Sequence, residues 1–69
     1  MFDIGIAFVS SSTAKKEFEE YYLEIYDVIS YSVLDNPSRL EVIRNKQGVE
    51  VRESYNWNYI KKVEVLGVN

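Results

Sequence analysis

The chain contains no cysteine and no histidine, only one proline and three glycines in 69 residues. Without cysteine there is no disulfide framework and no thiolate nucleophile, and a reducing compartment suits such a chain. Without histidine the usual general base near neutral pH is missing, and with both absent so are the common zinc ligands. No catalytic residue, metal site or cofactor is therefore expected. Gly5, Gly48 and Gly67 lie too far apart to form a phosphate-cradling loop, and no twelve-residue calcium loop is present.

Long hydrophobic runs are missing as well. The apolar stretches are a few residues long, against about 20 needed for a membrane-spanning helix, and the N-terminal region lacks a basic segment followed by an apolar one. A cytoplasmic protein without a membrane partner is expected. The apolar and charged fractions, 46% and 28%, are ordinary for a globular chain. One domain over residues 1–69 fits this length, with a core so thin that self-association, as a symmetric dimer, is expected to support it.

The alternation of residues points to strands. Ile4 to Val9 is apolar apart from Gly5 and reads as a buried strand. Arg39–Arg44 and Val49–Glu53 read as a hairpin around Asn45–Gly48, with Arg44 opposite Val49, Val42 opposite Val51, and Glu41 opposite Arg52. Asp35–Ser38 supplies a turn centred on Pro37, preceded by an alternating strand from Ile29 to Val33. Lys61–Leu66 reads as a closing strand ended by Gly67.

Thr13 to Asp27 satisfies two periods at once. As a helix it places Phe18, Tyr21, Tyr22, Ile25 and Ile29 on one stripe. As a strand it places Tyr21, Leu23, Ile25, Ile29, Tyr31 and Val33 on one face, with only Asp27 out of step. Propensity is divided too: the lysines and glutamates favour helix, and the Tyr, Ile and Val residues from Tyr21 onward favour strand.

Through Leu40–Ile43, the 45–48 turn, Val49–Val51, and Tyr55–Asn56–Trp57–Asn58–Tyr59–Ile60 leading into Lys61–Val65, the C-terminal half of the chain resembles the small β-rich accessory proteins encoded by phages and prophages. The resemblance implies a strand near residues 16–22 after a serine-rich turn at Ser10–Ser12. It carries over no catalytic residue. The expected fold is mainly β, a small barrel-like or curled antiparallel sheet of five to six strands; α+β with one helix near residues 15–25 is the alternative.

Charge is distributed unevenly. Six acidic residues and no basic one lie between Glu17 and Asn36, whereas Arg39, Arg44, Lys46, Arg52, Lys61 and Lys62 come later. A net charge of −3 disfavours direct nucleic-acid binding. Glu17, Glu19, Glu20, Glu24 and Asp27 read most plainly as a solvated face. The sharper reading adds Tyr22 and Tyr26 and makes the segment a docking surface for a basic host protein. Together with the resemblance, it implies an inhibitor of a nucleic-acid-handling or defence protein in the host cytoplasm. Two alternatives stand beside it: an oligomer that sequesters a nucleotide through Arg39, Arg44, Arg52 and Lys62, and a structural or assembly subunit. Tyr55 and Tyr59, like Tyr22 and Tyr26, fit the core alternation poorly, whereas Trp57 is expected under the last turn.

Overall fold

In the computed structural model, residues 1–12 and 17–68 are described. They form five antiparallel strands: β1 (Phe2–Ser12), β2 (Glu17–Leu34), β3 (Arg39–Lys46), β4 (Val49–Asn56) and β5 (Ile60–Val68). The strands make one sheet in the order β4-β3-β2-β1-β5, curled but not closed. A single 3-10 turn, Trp57–Tyr59, carries the chain from one edge of the sheet to the other. The mainly β expectation holds, and the helical alternative fails from Glu17 onward because β2 begins there. No helix among the described residues is long and apolar enough to cross a membrane.

Alternation along β1 accounts for the core. Ile4, Ile6 and Phe8 point inward and are joined by Ile25 and Val28 of β2 and by Leu40 and Val42 of β3, all buried. Each such side chain contributes about 1.5–3 kcal/mol of burial free energy. The curl gives a single sheet a core of its own. Tyr55 on β4 reaches Phe8 on β1, with ring centroids 5.9 Å apart, although β3 and β2 lie between those strands in the sheet order. Trp57 and Ile60 pack against the same cluster, where the crossover chain lies. The Trp57 amide donates to the Ser38 carbonyl at 3.3 Å, tying the crossover to the 35–38 turn.

β2 belongs to both halves of the sheet. Glu17–Val28 pairs with β1, and Val28–Leu34 pairs with β3. The transition uses two extra residues on β2, one between Ile25 and Val28 and one between Val28 and Ser30. Asp27 takes the left-handed conformation at φ 57°. Each bulge reverses which face the following side chains occupy, and two restore the original alternation. Tyr21, Leu23 and Ile25 therefore share a face with Tyr31 and Val33, as the sequence indicates. Between the bulges, Val28 takes the core position expected for Ile29, which is exposed.

Three other expectations are corrected. Ser10–Ser12 belongs to β1 and pairs with Glu19–Glu17, so it is not a turn; residues 13–16 lie outside the described residues. Gly67 does not end the last strand, which runs through it to Val68. The β3–β4 loop has two residues: Lys46 pairs with Val49, Arg44 with Val51, and Val42 with Glu53. The observed register differs by two residues from the expected one. Since a two-residue slip leaves every side chain on its original face, alternation cannot distinguish the registers. Turn chemistry can: Gln47 and Gly48 both take positive φ, 54° and 81°, as the favoured two-residue hairpin turn requires. The Asn45 side chain accepts from the Gly48 amide at 2.8 Å, fixing the corner.

Candidate functional site

The outer face of β2-β1-β5 gathers most of the residues singled out in the acidic segment. On β2 the outward row is Glu20, Tyr22 and Glu24, exposed together with Tyr26. These positions stand opposite Val9, Ala7 and Gly5 of β1, while Gly5 and Ala7 face Glu64 and Lys62 of β5 on the other side. Small residues on the middle strand leave a shallow trough between two polar rows.

Tyr22 lies across that trough. Its ring covers Gly5, which is buried as a result, and its hydroxyl donates to Glu64 Oε1 at 2.7 Å. A Cβ at position 5 would lie 1.7 Å from the Tyr22 hydroxyl oxygen, so only glycine admits the ring in this position. Aromatic cover of a strand glycine is a known stabilising device in sheets. Lys62 adds an ion pair to Glu64 at 3.2 Å. Hydrogen bonding to Glu64 raises the Tyr22 pKa to about 12, aided by desolvation and the nearby carboxylate charges. The same bond, then the Lys62 interaction, holds Glu64 below the usual carboxylate range.

Two of the other acids, Glu24 and Glu20, are held by neighbours. Tyr26 donates to Glu24, which raises the tyrosine pKa. Lys61 of β5 contacts Glu20 at 3.0 Å, so this part of the acidic segment has a compensating base supplied by a distant strand. The Asp27 amide donates to Asp3 Oδ1 at 3.2 Å. Glu17 and Glu19 stand opposite Ser12 and Ser10 in the backbone pairing, and their side chains lie outside the described features. β5 pairs with β1 only as far as Phe8, leaving the Val9–Ser12 and Glu17–Glu20 segments as a two-stranded ribbon.

The alternative cationic set is not assembled within one chain. Arg39 donates to the Asp35 and Pro37 carbonyls at 3.2 and 3.0 Å and closes the turn. Arg44 pairs with Glu53 at 3.3 Å on the inner side of the sheet, and its buried Nε has no hydrogen-bond partner. Arg52 pairs with Glu41 at 3.5 Å, whereas Lys62 lies on the opposite edge strand. A cleft of about 300 Å³ lies beside Pro37, Ser38, Arg39 and the Ser54–Asn56 segment. Among the described residues, no group of acids could hold a metal ion.

Glu64, Lys61 and Gly5 were not singled out from the sequence. The available signal was Gly5 itself, since glycine within an apolar strand often marks a close approach by another group. What the arrangement presents is a row of carboxylates and phenols held at fixed spacing, able to accept hydrogen bonds from cations and to pack flat against a partner. Comparison with protein-family models, curated proteins and solved structures returns no match.

Proposed function

We propose that the protein is a protein-interaction module that docks through the outer row Glu20, Tyr22, Glu24 and Tyr26 on a basic surface of its partner. The observation that carries this reading is the exposure of all four residues on β2, with Tyr22 and Tyr26 each anchored by a carboxylate. Anchored phenols lose little rotamer freedom on binding, and tyrosine is enriched where interfaces are buried. The carboxylates contribute steering toward positive charge. Combined with the resemblance to phage-encoded accessory proteins, this reading makes the partner a host nucleic-acid-handling or defence protein, inhibited by occupation of its basic groove.

The test begins with capture of the partner from host lysate, followed by association-rate measurements for the parent and for Glu20→Gln/Glu24→Gln at low and moderate salt. Loss of steering should slow association about tenfold at low salt and flatten its salt dependence. Equal rates for both proteins at both salts would overturn the reading. Exposed charges contribute little to folding, so circular dichroism should match the parent.

A further inference from the structure

The outer row stands beside an unpaired backbone edge. β2 pairs with β1 from Glu17 to Val28 and with β3 only from Val28 onward. On the side away from β1, no described strand pairs with residues 17–26. From Ile25 to Glu17 the pairing with β1 is regular, without a bulge. In an antiparallel ladder, alternate residues direct their N–H and C=O groups away from the neighbouring strand. This stretch therefore offers regularly spaced backbone donors and acceptors to an incoming chain.

The side chains flanking the edge define what would fit it. The outer row presents Glu20, Tyr22 and Glu24, while the inner row presents Tyr21 and Leu23, 55% and 37% exposed. Tyr21 is already stacked on Phe8, with centroids 5.4 Å apart, so the inner row continues the core. An added strand has the same two-residue period, which places one set of its side chains beside the carboxylates and the other beside the apolar row.

We infer that the β2 edge between Glu20 and Tyr26 receives an extended segment of a partner protein in which basic and apolar residues alternate, by strand addition. This rests on the docking reading above and specifies its geometry. A second copy of the chain is a poor occupant, because antiparallel self-pairing centred on Tyr22 sets Glu20 and Glu24 against each other across the axis. Acidic flanks thus repel the chain's own kind while favouring a basic strand, a form of selection against the wrong partner. The bulged edge of β5 and the mixed-charge edge of β4 lack this combination of regular backbone and a row whose own charges are all acidic; Lys61 of β5 offsets Glu20 alone and leaves Glu24 to face an incoming cation.

Two synthetic peptides of identical composition test the inference, one alternating lysine and valine and the other carrying them in separate blocks. The alternating peptide should bind the intact protein at least about tenfold more tightly, as expected if the block peptide loses one or two net hydrogen bonds. It should also slow amide exchange within residues 20–26. Glu20→Gln/Glu24→Gln should weaken the alternating peptide's binding. Equal affinity for the two peptides would overturn strand addition while leaving acidic docking to be judged by the association rates. Binding that protects β4 or β5 amides instead, or no binding by either peptide, would overturn the assignment of this edge.

Discussion

The Tyr22 hydroxyl reaches Glu64 by crossing directly over Gly5, so a residue of β2 is fastened to β5 across a middle strand that contributes no side chain. Gly5→Ala should therefore displace the ring and cost about 1–3 kcal/mol, the range for forcing extra volume into a packed site. In a Tyr22→Ala background the same substitution should be neutral or stabilising, since alanine is favoured over glycine in a strand by about 0.5–1 kcal/mol. Denaturant titration of the two single variants and the double variant measures this reversal.

The same contact predicts two pH limits. The Tyr22 pKa, raised from 10.0 to about 12, favours the neutral phenol in the folded state. Its stabilisation is complete below the unfolded pKa and is lost as pH rises through 10 to about 12. Glu64, lowered from 4.5, contributes above its unfolded value and loses that contribution as pH falls through its folded pKa. In ultraviolet titrations, the difference between parent and Tyr22→Phe should show a late-ionising tyrosinate. Glu64→Gln should move that ionisation back toward the ordinary value.

The β2 bulges make opposite predictions for adjacent residues. Val28 is fully buried, whereas Ile29 is 45% exposed. Val28→Asp should abolish folding by burying an unpaired carboxylate, while Ile29→Asp should leave a folded domain. Circular dichroism and thermal melting distinguish them. Equal tolerance at the two positions would place the bulges elsewhere.

At the β3–β4 hairpin, Val42→Asp should unfold the domain because Val42 is fully buried and stands opposite Glu53. Val51→Asp should cost much less, about 1–2 kcal/mol, because position 51 is half-buried and faces Arg44. Gln47→Asn should stabilise the turn by up to about 1 kcal/mol, since asparagine tolerates the left-handed conformation better than glutamine. Urea midpoints at constant slope provide the measurement.

Much of the fold can be read from residues whose alternation has a period of two. Val42 in β3 stands on the inward face that alternation gives it, Ile4, Ile6 and Phe8 lie within the apolar run read as a buried strand, and the turn at Pro37 falls where the sequence puts it. The pattern loses its force where register differs by two, as around Gln47–Gly48, because each candidate buries the same faces. It also fails between Ile25 and Ser30, where two inserted residues cancel in periodicity but exchange Val28 for Ile29 in the core. The helix–strand ambiguity of residues 17–25 is resolved by β1, whose apolar row supplies a long-range partner that overrides glutamate-rich propensity. For the outer site, Glu20, Glu24, Tyr22 and Tyr26 were legible as an acidic, aromatic segment. Their β5 partners Lys61 and Glu64 were not, because that pairing spans some forty positions.

The pairing of β1 with β5 joins Phe2 to Val68 and so spans nearly the whole described chain. Such a ladder is costly to start, because chain entropy is lost before its contacts form. The β3–β4 hairpin, closed by two residues, carries no comparable delay. Folding should therefore proceed outward from β3–β4, through β2, to β1 and finally β5, with the Tyr22–Glu64 bond among the last contacts made. Substitutions at that bond would then accelerate unfolding while leaving the refolding rate nearly unchanged.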